Sequence, residues 1–347
     1  MSIVVSTPQL DLERLGSWLE TSVPSFHGLQ GATRLVGGNS NPIWRLDAVS
    51  GRYILRTQPA GQLLKSAHAL DREARVLAAL HGTAVPVARL HVLCNDLDVI
   101  GVQFYLMDFV DGQVHREVGL PDVATERRRA VYLAALDVLV AIHRTDIASR
   151  GLGDFGRTGN YFERQLHRWS QQYGTAIPEG LPALDALIAA LKRALPREPH
   201  RNVLLHGDCR LDNLMFQPGA AHVIAVLDWE LSTLGHPLAD VGQFLGVQEL
   251  PPDYLLPGLA GLDRRQLGIP SQRELAYHYL RAMGMSPDID LRFFKAFALF
   301  RQAAMAAGLL RRARDGTAVA ESAFEFGRTT SVFAETGLRV LDSADAD

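Results

Sequence analysis

From Leu204 to Phe216 the chain reads L-L-H-G-D-C-R-L-D-N-L-M-F; a short Pro-Gly turn follows, and then V-I-A-V-L-D-W-E ending at Glu230. Three groups are offered together: Asp208, Asn213 five residues later, and Asp228 at the end of an apolar run. A carboxylate, an amide and a second carboxylate in that order supply what ATP-dependent phosphoryl transfer requires. One acid orients the attacking hydroxyl, and two oxygen ligands hold Mg²⁺ on the phosphates. The competing reading is a β-hairpin with polar turns. A turn alone does not require H-G-D-x-x-x-x-N followed by an apolar strand running into D-W-E.

The elements that must position these groups follow from the apolar pattern. Short apolar runs around the H-G-D stretch predict brief strands, with Asp208 and Asn213 in the loop between them and Asp228 at a strand end. Upstream, Thr33–Val36 and Ile43–Asp47 read as strands flanking G-G-N-S-N, and Ser50-Gly51 is a turn signal before a strand over Tyr53–Thr57. Gly37, Gly38, Asn39 and Ser40 then form a hairpin tip. Glycines there let backbone approach phosphate oxygens, and Ser40 adds a hydroxyl. No G-x-x-x-x-G-K-[ST] loop occurs.

Ser66 to Leu80 predicts a helix with Leu70, Ala74, Leu77 and Leu80 on one face and Glu73 near its middle. Val87–Val92 and Val99–Met107 predict two more strands. From Pro121 onward the pattern is helical, over residues 122–145, Tyr161–Tyr173, Leu184–Leu195, Ser271–Met283, Ile289–Arg314 and Val319–Leu341. Asp240 opens a further helix, where an acid complements the N-terminus and is expected to brace the loop. Gln243–Leu267 is rich in Pro and Gly and is expected to be an irregular acceptor-site insertion. Phe293, Phe294, Phe297 and Phe300 are expected in the core. Gly151–Gly156 matches G-x-G-x-x-G, but it follows a helix and not a strand, so it reads as a helix stop and loop.

Composition excludes several classes. Of the 347 residues, 47% are hydrophobic and 21% charged, with a net charge of −3, which points away from nucleic acid and other polyanions. The two cysteines, Cys94 and Cys209, lie far apart and argue against a disulfide framework or a Cys-based zinc site. No H-E-x-x-H or G-x-S-x-G motif is present. No basic n-region precedes an apolar core at the N-terminus, and no uncharged run reaches 18 residues, so no membrane partner is expected and the location is read as cytoplasmic.

H-G-D-C-R-L-D-N-L-M-F, V-L-D-W-E and S-T-L-G-H-P-L-A-D resemble the aminoglycoside phosphotransferase family of small-molecule kinases. The branch most similar is the one related to the kinase-like N-terminal region of long acyl-CoA dehydrogenases. That similarity runs from G-G-N-S-N-P through D-R-E-A-R-V-L to F-F-K-A-F-A-L-F-R. It implies an α+β, protein-kinase-like, two-lobed fold: an antiparallel-sheet N-lobe plus helix over 1–110, and a mostly helical C-lobe over 111–347, with ATP between them. It also implies roles. Asp208 orients the acceptor hydroxyl, and Asn213 and Asp228 hold Mg²⁺. Arg56 stands where most kinases carry a phosphate-binding Lys, with Glu73 as its partner and Lys65 as a fallback cation; Arg can bind phosphate bidentately. Gly37–Ser40 cover the phosphates, and backbone groups of Met107, Asp108 and Phe109 meet the adenine edge. His206 buttresses the loop.

The acceptor is expected to be a small-molecule hydroxyl. Over residues 271–314 eight Lys/Arg stand against three acids, which favours an anionic or neutral acceptor such as a hydroxyacyl-CoA-like metabolite. The alternatives are an antibiotic kinase acting on an aminoglycoside or macrolide, and a nucleotide-binding or interaction module without transfer activity.

Overall fold

In the computed structural model residues 10–35, 41–59, 67–157, 159–196, 202–315, 327 and 329–343 are described. Gly37–Ser40 and Lys65 lie outside them. The chain divides into two units, one of Met1–Gly112 with Ile224–Glu230, the other of Gln113–Val223 with Leu231–Asp347.

In the first unit a helix, α1 (Leu12–Ser22), precedes three strands: β1 (Leu29–Leu35), β2 (Ile43–Ala48) and β3 (Gly51–Thr57). A helix α2 (Ala67–Leu80), a strand β4 (Leu90–Cys94), a short helix α3 (Leu97–Ile100) and a strand β5 (Phe104–Asp108) complete it. The sheet order is β1-β2-β3-β5-β4, and every pairing is antiparallel. Ala48 pairs with Gly51, so the tight turn is Val49-Ser50, one residue before the expected Ser50-Gly51, and Gly51 opens β3. Leu15, Leu19, Phe26, Leu46, Leu55, Phe104 and Leu106 close the core between α1 and the sheet. The expected strand over Val99–Met107 is shorter than its apolar run. Asp96 accepts from the Asp98 backbone N–H and caps α3, so Val99 and Ile100 are helical and pairing starts at Phe104.

The second unit begins with β6 (Gln113–Val114) and continues with helices α4 (Thr125–His143), α5 (Tyr161–Ala176) and α6 (Pro182–Arg193). Three short strands follow: β7 (Val203–Leu205), β8 (Leu214–Phe216) and β9 (Val223–Val226), the last carrying the chain into the first unit. After Glu230 the chain forms β10 (Thr233–Gly235) against β7. Gly156 of the G-x-G-x-x-G stretch sits where an added Cβ would lie 2.7 Å from the Leu234 backbone, so that glycine serves packing in a turn.

Helices α7 (Leu238–Gly246), α8 (Gln272–Ala282), α9 (Arg292–Arg314) and α10 (Thr330–Asp342) end the chain. Ser271 and Glu274 form a capping box at the start of α8. Phe293, Phe294 and Phe297 pack edge-on around Phe162, and with Phe300 they are buried core residues as expected. Helix α9 has the length and apolar composition of a membrane span, but most of it is buried inside the protein.

Candidate active site

Arg56 of the first unit owes its position to strand register. It pairs directly with Tyr105 across β3 and β5, so both side chains leave the same face of the sheet. Glu73 lies on α2 among Leu70, Ala74 and Leu77 and is itself buried. Its Oε2 accepts from the Tyr105 hydroxyl at 2.9 Å and lies 3.2 Å from Arg56 Nε. That second contact is an ion pair without the alignment of a hydrogen bond. Asn41 Nδ2 approaches Glu73 Oε1 at 3.5 Å. Arg56 Nη2 donates to Asp228 Oδ1 at 3.0 Å and lies 3.8 Å from Glu230 Oε2. One guanidinium therefore faces three carboxylates.

Charge follows from that crowding. Burial opposes the charge on Arg56, yet the Glu73 and Asp228 carboxylates hold its pKa above the ordinary arginine value. Burial pushes the Glu73 carboxyl up to about 7, against the pull of Arg56 and the Tyr105 hydroxyl. Burial likewise keeps the Tyr105 phenol protonated, so it remains a donor. Asp228 has φ +60°, a left-handed conformation that Asp tolerates better than most residues. Held there, its carboxylate stays partly exposed at 37%.

In the second unit the loop after β7 is held from behind by Asp240 at the start of α7. Its two oxygens accept the backbone N–H of His206 at 2.7 Å and of Gly207 at 2.9 Å. His143 Nε2 lies 3.1 Å from the same carboxylate, and its Nδ1 lies 2.5 Å from the Tyr279 hydroxyl. Burial opposes ionisation of Asp240, but His143, His206 and the Gly207 N–H overcome it and hold its pKa below the usual range. Gly207 has φ +87°, and a Cβ there would sit 2.3 Å from the Leu231 carbonyl oxygen, so no other residue fits. Its own carbonyl accepts from Arg301 Nη2 at 2.8 Å. Arg301 is buried with its guanidinium 5.9 Å from the Trp169 ring centre.

Asp208, next in the chain, is oriented by neutral donors. Gln243 Nε2 reaches its Oδ1 at 3.0 Å and Gln302 Nε2 the same oxygen at 3.3 Å. Asn213 Nδ2 donates to the Asp208 backbone carbonyl at 2.8 Å and lies 3.3 Å from Oδ2. With Nδ2 so engaged, the oxygen is the end of the Asn213 amide that could meet a cation. His206 Nδ1 accepts the Asp208 N–H at 3.2 Å, the buttressing expected of that ring. Cys209 is buried, which pushes its thiol well up and leaves it inert.

Each unit thus brings its own expected residues together: Arg56, Glu73 and Asp228 in one, Asp208 and Asn213 in the other. The Met107–Phe109 segment ends β5, and its N–H groups are partly engaged: Asp108 donates to the Arg89 carbonyl and Phe109 to that of Arg52. Sequence reasoning missed Tyr105, Glu230, Gln243 and Gln302, and read His143 as a helix-end or core residue, which it is: it ends α4 and is buried. The basic excess over 271–314 does not form a basic wall. Arg292 pairs with Asp290, Lys295 with Glu249, Arg311 with Asp315 and Arg314 with Glu179, while Arg301 is buried.

Against known proteins, the model of the phosphotransferase enzyme family matches residues 31–276, and the chain belongs to that family. It is 41% identical to mouse acyl-CoA dehydrogenase family member 10 over 86% of its own length, and spans 28% of that longer relative. A crystal structure from Ralstonia eutropha JMP134, of a protein carrying the aminoglycoside phosphotransferase name, superposes with a TM-score of 0.87 at 39% identity, covering 97% of this chain and 100% of that one. A thermostable mutant of aminoglycoside phosphotransferase APH(4)-Ia, solved with ADP and hygromycin B, shares the fold at a TM-score of 0.63 and 16% identity, over 95% of this chain and 99% of that one. The fold is the α+β, protein-kinase-like one.

Proposed function

We propose that this chain is a Mg²⁺- and ATP-dependent phosphotransferase that moves the γ-phosphate of ATP to a hydroxyl of a small molecule. The observation that carries the reading is the Arg56 guanidinium held at once by Glu73 and Asp228. A buried cation kept permanently charged beside an acid with exposed oxygens is suited to phosphate on one side and a metal on the other. The nucleotide complex of the APH(4)-Ia neighbour supports the same reading.

Two side chains, by the chemistry of their donors, are proposed to hold the metal. Asp228 offers a carboxylate and Asn213 an amide oxygen, the hard oxygen ligands that Mg²⁺ prefers. When bound, the ion neutralises charge developing on the phosphates. Asp208 receives the acceptor O–H and directs its lone pair at the γ-phosphorus. The new O–P bond forms as the bond to ADP breaks, and the acceptor proton passes toward Asp208. Arg56 balances phosphate charge, with Glu73 and Tyr105 fixing its direction. The segment Gly37–Ser40, outside the described residues, is proposed to cover the phosphates, and the carbonyls near Met107–Phe109 to meet the base.

The acceptor we favour is a hydroxylated acyl-CoA-like metabolite. Its support is the 41% identity to a relative named for acyl-CoA dehydrogenases. The charge count no longer contributes, because most of those side chains are paired or buried. Likeness to a protein with the aminoglycoside phosphotransferase name favours antibiotics as the second reading.

The test is thermal shift with Mg-ATP and Mg-GTP, alone and with hydroxyacyl-CoAs, aminoglycosides and macrolides. A ligand of the native state raises the melting temperature by mass action. A Mg²⁺-dependent nucleotide shift lost in Asp228→Ala is the expected result. No shift at millimolar nucleotide would overturn the enzyme reading. A further shift with kanamycin-like cations, and none with acyl-CoA compounds, would overturn the acceptor.

A further inference from the structure

We infer that Gln243 and Gln302 are positioning residues for phosphoryl transfer: together they saturate Oδ1 of Asp208 and thereby assign the acceptor hydroxyl to Oδ2. The inference rests on the phosphotransfer reading above and adds the device that selects one oxygen of the acid.

Both glutamines are out of place by composition. Gln243 sits in α7, where every residue is buried, and Gln302 in the buried stretch of α9 between Phe293 and Ala307. A buried amide costs free energy unless both of its ends are bonded. Gln243 meets only half of that requirement, because its Oε1 has no partner among the described residues. Packing alone would favour an apolar side chain there. What the amide does make is the 3.0 Å bond to Asp208 Oδ1, and Gln302 makes the second at 3.3 Å. A carboxylate only accepts, so both side chains must present Nε2.

Counting lone pairs gives the assignment. Each carboxylate oxygen has two acceptor sites. On Oδ1 both are taken, by donors rooted in two different helices. On Oδ2 one is taken by Asn213 at 3.3 Å, while Arg210 Nε lies at 3.6 Å with its Nη2 committed to Asp212 at 3.0 Å. The remaining site on Oδ2 is the one a hydroxyl can use. Gln243, Gln302 and Asn213 are neutral amides, so they orient the carboxylate without pairing it with a charge.

Gln243→Met and Gln302→Met keep side-chain length and remove the donor. The probe reaction is single-turnover hydrolysis of Mg-ATP, with water in place of the acceptor. Each variant should lower the rate roughly 10- to 100-fold, the scale of small misplacements of a reacting group, with ATP affinity changed less than about twofold. The decisive arm is a double-mutant cycle with Asp208→Asn. If the glutamines act through Asp208, adding either substitution to Asp208→Asn should slow the reaction no further. Multiplying effects would overturn the inference. The glutamines lie on separate helices, so either variant carries the cycle if the other fails to fold.

A readout independent of turnover is the side-chain amide NMR signals of both glutamines, which should move in Asp208→Ala. Signals that stay in place would overturn the clamp whatever the rates. Native protein that neither binds nor hydrolyses Mg-ATP would instead defeat the phosphotransfer reading, and the clamp's catalytic meaning with it.

Discussion

The two charged centres of this molecule are built on opposite plans. Around Arg56, charge meets charge: one guanidinium faces Glu73, Asp228 and Glu230. Around Asp208 and Asp240 the carboxylates are satisfied mainly by backbone N–H groups and neutral amides, with Arg210 no nearer to Asp208 than 3.6 Å, and the buried guanidinium of Arg301 is spent on a carbonyl. Ion pairs leave a carboxylate able to exchange one cation for another. Neutral donors fix its direction without cancelling its charge. The first plan suits a place where phosphates and a divalent ion arrive and leave. The second suits an acid that must point the same way in every cycle.

If the contrast is sound, the largest effect belongs to the fixed centre. Asp208→Ala should cut turnover roughly 10²–10⁴-fold, the usual range for a positioned acid–base group, with nucleotide affinity retained. Initial rates alongside titration of a fluorescent ATP analogue measure both, and near-native turnover would break the comparison. Asp240→Ala should be the most damaging change to stability. It leaves two backbone N–H groups and His143 without their acceptor in a buried site, at a cost of roughly 3–5 kcal/mol in urea unfolding. A loss under about 1 kcal/mol would show that the loop holds itself.

Smaller effects sharpen the exchangeable centre. The folded-state pKa of Glu73, about 7, lies above its ordinary value of 4.5. Its contribution to stability is therefore fully present below about pH 4.5 and is lost as pH rises through about 7, by at most roughly 3 kcal/mol. Glu73→Gln should flatten that part of the stability–pH curve, and an unchanged slope would place the proton elsewhere. Tyr105→Phe removes one hydrogen bond to Glu73 and should cost about 1 kcal/mol. A cost near zero would mean that Arg56 alone orients the acid.

How much of this was legible depended on whether a role lies in local spacing or in register. Asp208, Asn213 and Asp228 announce themselves because loop and strand end fall within one short stretch. Tyr105 could not be read, since its meaning comes from standing opposite Arg56 across two strands far apart in sequence. Gln243 and Gln302 did leave a signal, as polar residues inside V-G-Q-F-L and F-R-Q-A-A, and buried polar positions of that kind call for a partner. The run at Val99-Ile100 misled because apolar content alone does not separate a short helix from a strand, and the Asp96 cap decided it. The basic count over 271–314 misled for another reason: composition cannot tell a side chain facing a ligand from one paired with its neighbour.

The route of the chain has a consequence for inheritance. Seven residues, Ile224–Glu230, belong to the unit otherwise formed by Met1–Gly112. A fragment ending at Gly112 would carry Arg56 and Glu73 but neither Asp228 nor Glu230. A single genetic crossover at that boundary therefore cannot pass the Arg56 centre whole to another protein. It travels with both units or it is broken.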